Sequence, residues 1–143
     1  MEKAVKPYRF DGKKLKLSEK EWKKRLSPEQ YKILRTKGTE TACQNLFFDW
    51  KKTGHYVCAG CDLPLFSSSS KYDSGTGWPS FWEPVFPENV TFEEDRKLLT
   101  PRTEVLCSRC GGHLGHVFDD GPPPTGKRYC MNSAALKFIS ESS

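Results

Sequence analysis

Two Cys-x-x-Cys pairs, Cys58-Ala-Gly-Cys61 and Cys107-Ser-Arg-Cys110, constrain the fold of this 143-residue chain more than any other feature. Each pair sets two thiols on one tight turn, and two such knuckles brought together make a tetrahedral four-sulfur site suited to a structural zinc ion. The 45 residues between the pairs exceed the spacing of a compact zinc finger, so one Zn2+ would tie together distant parts of a larger domain. Four thiolates leave no open coordination position, which makes such a metal structural rather than catalytic. Glycines at Gly60 and Gly111-Gly112 suit backbone that turns without Cβ hindrance. Disulfides or redox-active pairs are the other readings of the same residues. The first requires an oxidising compartment, and the second usually sits at a helix start.

A chain of this length fits one domain, residues 1–143, with a modest core. Its first quarter is helical. Ser18 with Glu21 and Ser27 with Gln30 each form an S-x-x-E/Q capping box, and Pro28 suits a first helical position. Two short helices follow, with Trp22 and Leu26 on one apolar face and Tyr31 and Leu34 on the other. After Gly38 the texture changes to short apolar runs separated by turn-forming residues, the pattern of many short strands: "HYVC", "VTFEE", "TEVLC", "GHVF", "KRYC" and "AALKFI". "SSSSKYDSGTGWPSFWEP" and "DDGPPPTG" read as loops. The expectation is therefore a mainly β chain, with residues 1–36 a basic helical segment and 37–143 a β core.

Charge is unevenly placed. Residues 1–36 carry 12 Lys and Arg against 5 Asp and Glu, and the remainder 11 against 13. Every cysteine and histidine lies in the slightly acidic part, so the basic end reads as a solvated helix surface rather than a nucleic-acid site. No apolar run approaches the roughly 20 residues of a membrane span, and the start lacks the apolar stretch of a secretory signal. A cytoplasmic or other reducing compartment, with no membrane or nucleic-acid partner, is the expectation.

Cys43, Cys130, His55, His113 and His116 remain. A cysteine becomes a nucleophile when donors or positive charge stabilise its thiolate, and Arg128, Asn132, His113 and His116 are the groups available to Cys130. An imidazole can deliver a proton near neutral pH. The plainer reading of Cys130, between Tyr129 and Met131, is a core residue. A binding module, with Trp78, Phe81 and Trp82 as its aromatic surface, is the competing class.

The ordered strings "GTE" at 38–40, "YVCAGC", "LF" at 65–66, "SGTGWPSFW", "TEVLCSRCGGHLGHVFDDGP" and "KRYCMNSAALKFI" resemble the methionine-R-sulfoxide reductase family, called MsrB, over nearly everything from about residue 15 onward. The resemblance implies two antiparallel sheets with N-terminal helices and a structural zinc held by Cys58, Cys61, Cys107 and Cys110. It also implies that Cys130 attacks the sulfoxide sulfur of methionine-R-sulfoxide in peptides or proteins and becomes a sulfenic acid. His116, with His113 beside it, would handle the proton of the sulfoxide oxygen, and Asn132 would order the pocket. Trp78 and Phe118 would contact the substrate. Thioredoxin would be the reductant of a monomeric enzyme. Many relatives carry a resolving cysteine where this chain has Thr76, which cannot form a disulfide. Cys43 is the cysteine left over. It either resolves the sulfenic acid or stands aside while an external thiol does so.

Overall fold

The computed structural model describes residues 7–96 and 100–140; residues 1–6 of the basic segment lie outside the described residues. Both helices form where their capping boxes place them: Glu19–Arg25 (α1) behind Ser18 and Pro28–Thr36 (α2) behind Ser27, each box closed in both directions. Reciprocal capping satisfies backbone donors that a helix this short has no interior to spare. The apolar faces are narrow. Trp22, Leu26, Ile33 and Leu34 are buried, and with residues of both sheets they form one hydrophobic core. Truncating a side chain as buried as Trp22 costs about 3–5 kcal/mol.

The β part contains Gly54–Cys58 (β1), Pro64–Ser67 (β2), Lys71–Tyr72 (β3), Ser80–Phe81 (β4), Val90–Asp95 (β5), Arg102–Cys107 (β6), His113–Phe118 (β7), Arg128–Met131 (β8) and Leu136–Ser140 (β9). They make two antiparallel sheets, ordered β2-β1-β9 and β3-β4-β8-β7-β6-β5. Stacked and edge-on rings fill the space around them: Phe66 lies flat on Phe81 at 4.4 Å, and Tyr56 meets Phe47, Phe81 and Phe138. Phe81 is fully buried, so it belongs to the core and not to an aromatic recognition surface with Trp78 and Trp82.

Three expectations need correction. The segment read wholly as a loop, residues 67–84, contains a 3₁₀ turn at Ser68–Ser70 and the two-residue strands β3 and β4. Strands that short carry no period-2 signal, and only their neighbours make them strands. In "AALKFI", Ala135 closes a 3₁₀ turn over Ser133–Ala135 and the strand starts at Leu136. In the first knuckle the left-handed residue is Asp62 (φ 65°), not Gly60. Gly60 is small for packing instead, since a Cβ there would lie 3.2 Å from the Trp22 ring. Gly111 does take a positive φ of 72°.

Candidate active site

The first knuckle follows β1 and the second follows β6, which brings Cys58, Cys61, Cys107 and Cys110 together with all four sulfurs within 4.8 Å of one another. The Cys58 to Cys110 and Cys61 to Cys107 separations are 3.6 and 3.4 Å. A tetrahedral ion with metal–sulfur bonds of about 2.3 Å sets sulfurs roughly 3.8 Å apart, so this donor set fits a four-coordinate metal ion. Four buried cysteines this close could bind one. Three arginines brace the knuckles by donating to carbonyls: Arg25 to Gly60 and Arg35 to Cys110 from the helices, and Arg109 of the second knuckle to Cys61 of the first. Their positive charge offsets the negative charge of a tetrathiolate. α1 and α2 supply two of the three, so the helical segment clamps the knuckles.

β7 runs directly out of the second knuckle and lies beside β8. In that register His116 faces Cys130, while Ser80 of β4 faces Cys130 from the other side. Directly opposed residues hold their Cβ atoms about 4.5–5.5 Å apart. A cavity of about 310 Å³ opens above this row, with Cys130, His116, Asn132, Trp78 and Phe118 among its lining residues. Five of the positions singled out from sequence thus meet in one place. Cys130 is half-buried. Burial pushes its thiol pKa up, while the Arg128 charge and the nearby Thr76 hydroxyl pull it down. Arg128 is held by paired bonds to Asp120 at 2.8 and 3.1 Å and stacks on the Phe118 ring at 4.2 Å. One guanidinium therefore fixes both a cavity wall and the charge near the sulfur.

His116 has its Nε2 2.9 Å from Asp95, and Arg102 donates to the same carboxylate oxygen at 3.3 Å. Burial lowers the His116 pKa below 6.5 and the Asp95 bond partly restores it, so the ring is mainly neutral at pH 7. His113 is placed differently. A bulge in the β6–β7 pairing turns it inward, where its Nδ1 lies 2.7 Å from buried Glu104, with its ring 5.4 Å from that of His116. It stands behind the cavity wall rather than in it. Burial lowers its pKa as well. His55 belongs to β1 in the other sheet.

Asn132 is buried, and its amide spans two segments: Nδ2 donates to Leu114 O at 3.2 Å and Oδ1 accepts from Glu40 N at 3.1 Å. Glu40 is a hub that sequence reasoning quoted within "GTE" without giving it a task. Its carboxylate accepts from the backbone N–H groups of Ser133 and Ala134, and its carbonyl accepts from Trp78 Nε1 at 3.1 Å. Asp95 and Arg102 were missed too. They lie just outside "VTFEE" and "TEVLC", where nothing marks them, because their meeting depends on the β5–β6 register that pairs them.

Cys43 lies on the next stretch of the same loop, exposed and with a φ of 62°. Its N–H donates to Gly77 O at 2.8 Å, and a Cβ on Gly77 would lie 2.8 Å from both Cys43 N and Cys43 Sγ. Only glycine allows that approach. Cys43 thus packs against Gly77, the residue after Thr76, and Thr76 lines the cavity that holds Cys130. Both thiols are free.

The fold and site define a class: a small antiparallel β protein with a four-cysteine clip at one end and, one strand away, a half-buried thiol under an apolar and imidazole-lined cavity. The SelR domain family matches residues 26–140. The peptide methionine sulfoxide reductase MsrB of Hahella chejuensis is 55% identical over 127 residues, 89% of this chain and 91% of that protein. The one from Leptospira interrogans is 57% identical over 124 residues, 87% and 95% respectively. The chloroplastic peptide methionine sulfoxide reductase B1 of Arabidopsis thaliana is 60% identical over 122 residues, 85% of this chain and 60% of that longer protein. The chain belongs to the MsrB family, whose domain is described as SelR.

Proposed function

We propose that this protein reduces methionine-R-sulfoxide, in peptides or proteins, to methionine, with Cys130 as the nucleophile. The observation that carries the reading is the single cavity in which that thiol meets His116, Asn132, Trp78 and Phe118. A sulfoxide presents a polarised oxygen, an electrophilic sulfur and a methyl group, and the cavity offers a proton carrier, a thiol and aromatic faces to match. Attack by the Cys130 sulfur breaks the S=O linkage of the substrate. Oxygen passes to Cys130 as a sulfenic acid, and the thiol proton, relayed by His116, balances the transfer as methionine leaves. His113 acts from behind, as an orienter of His116.

Cys43 is the resolving thiol in this reading. Its thiolate displaces hydroxide from the sulfenic acid, which leaves as water after protonation, and a Cys43–Cys130 disulfide forms. Thioredoxin then reduces that disulfide by thiol exchange. The metal is one structural Zn2+ on Cys58, Cys61, Cys107 and Cys110. It holds β7 in register and takes no part in turnover. Residues 1–143 act as one domain and one monomer, in a cytoplasmic or other reducing compartment. No described helix is long and apolar enough to cross a membrane, and the basic N-terminal segment serves the knuckles rather than a nucleic acid.

The test is a single-turnover assay with each sulfoxide epimer. The R epimer yields about one methionine per chain in Cys43→Ser, and none in Cys130→Ser, which keeps its metal and fold. Substantial reduction by Cys130→Ser ends the proposal.

A further inference from the structure

The hydroxyl of Thr76 is the last of a connected set. Ser80, fully buried, donates to Trp78 O at 3.1 Å. Ser74 Oγ lies 2.7 Å from Ser80 Oγ and 2.8 Å from Thr76 Oγ1. Thr76 lines the same cavity as Cys130, Ser80 faces Cys130 across the strand pair, and the Thr76 hydroxyl lowers the Cys130 pKa as a donor to the sulfur anion does. Backbone N–H groups of Thr76 and Trp78 reach the Ser74 and Thr76 oxygens at 3.4 Å, so the oxygens are tethered while the hydroxyl protons remain free to rotate.

Each hydroxyl owns one proton, which fixes the directions. When Ser80 donates to Trp78 O, Ser74 must donate to Ser80, and Thr76 must donate to Ser74. Thr76 then has only a lone pair for Cys130, which suits a thiol that donates. A sulfur anion needs the opposite arrangement: Thr76 donates to sulfur, Ser74 to Thr76 and Ser80 to Ser74, with the Trp78 carbonyl losing its donor. Every hydroxyl oxygen stays bonded to its hydroxyl neighbours in both arrangements.

We propose that Ser74, Thr76 and Ser80 form a reversible hydroxyl relay that switches direction when Cys130 ionises and stabilises the sulfur anion. This rests on Cys130 being the nucleophile. Thr76 touches the reacting sulfur, and Ser74 and Ser80 are positioning residues that act through it. No net proton travels along the relay, because each hydroxyl loses one proton contact and gains another. The thiol proton leaves on the cavity side, toward His116 or solvent. Charged and titratable groups that face Cys130 are Arg128 on β8, His116 on β7, Tyr72 on β3, Asp120 in the loop between β7 and β8, and Arg102 across the cavity. They stay in place in every variant below and set the baseline. Chains of hydrogen bonds polarise one another in a buried setting, so removing a distant member still weakens the last bond.

The experiment measures alkylation of Cys130 by iodoacetamide against pH in the full zinc-loaded chain carrying Cys43→Ser, with the modified residue identified by mass spectrometry. Alkylation reads the thiolate whether or not the chain reduces a sulfoxide, and sulfenic acid formation with methionine-R-sulfoxide is followed separately. Failure of the relay and failure of the proposed function are thereby told apart. Thr76→Val is expected to slow alkylation at pH 7 about tenfold, one unit of pKa, with an unchanged rate at high pH. Thr76→Ser restores the rate. Ser74→Ala and Ser80→Ala slow it about two- to fivefold, and Ser74→Ala adds nothing in a Thr76→Val background, as one chain requires. An unshifted midpoint in Thr76→Val, or independent effects of Ser74→Ala and Thr76→Val, would overturn the relay. Ser74 is only half-buried, so its variant decides the question even where Ser80→Ala disturbs folding.

Discussion

Resolution by Cys43 requires the loop that carries it to leave Gly77, and Asn45 is the side chain that opposes this movement. Its Nδ2 donates to Thr41 O at 3.1 Å and to Gly77 O at 2.9 Å, and its Oδ1 accepts from Ser133 Oγ at 2.7 Å. The Thr41 bond moves with the loop. The bonds to Gly77 and Ser133 must break when the loop lifts, together with the Cys43 N–H to Gly77 O bond at 2.8 Å. At about 0.5–1.5 kcal/mol net for each hydrogen bond, Asn45→Ala removes about 1–3 kcal/mol from the lifting barrier. At 1.36 kcal/mol per decade, disulfide formation accelerates about 5- to 150-fold. Water replaces the lost partners at this half-exposed position, so the native state loses a similar amount of stability.

The assay is a rapid-quench single turnover with methionine-R-sulfoxide, in which sulfenic acid is trapped with dimedone and the Cys43–Cys130 disulfide is mapped by mass spectrometry. Methionine release should keep its rate while the sulfenic acid lifetime shortens. An unchanged disulfide rate in Asn45→Ala would show that the loop does not have to lift. A slower rate would mean that Asn45 guides Cys43 instead of restraining it. Either result refutes this account of the recycling step.

Three further outcomes follow from the same geometry. Cys110→Ser removes one of four ligands and should lose the metal, seen by elemental analysis, and lower the thermal midpoint by about 10 °C or more, since each kcal/mol is about 2–8 °C in domains of this size range. Trp78→Ala strips an aromatic wall and the Glu40 anchor, so KM should rise about tenfold or more; an unchanged KM would remove Trp78 from the substrate site. Stability should fall as pH drops below 6.5, because burial holds His113 and His116 below that value and the unfolded chain then binds the protons that the folded one refuses. Urea midpoints between pH 7.5 and 5.5 test the sign, and a midpoint that rises on acidification contradicts it.

Much of the fold was legible because it rests on local chemistry. Ser18, Glu21, Ser27 and Gln30 cap helices within four residues of themselves, and the long alternating or apolar runs became β1, β5, β6, β7 and β8. β2, β3 and β4 escaped notice, being too short for a period or interrupted by Pro64 and Ser67–Ser70. At the site, the strings around 78, 116, 130 and 132 hold residues that line one cavity. They did not separate His113 from His116, since the bulge that turns His113 toward Glu104 is a property of the β6–β7 pairing. Nor did they assign a task to Glu40, whose four partners lie 38 to 94 residues away.

By itself, the sequence determined which thiols form the knuckles, where the helices begin and which cysteines stand outside the four-sulfur set, because spacing and capping act over a few residues. Only the tertiary structure decided which imidazole faces Cys130, that Asp95 and Arg102 stand behind it, and that Cys43 packs against Gly77. Those relations are set by strand register and loop closure, in which one residue of slip exchanges the faces of a strand.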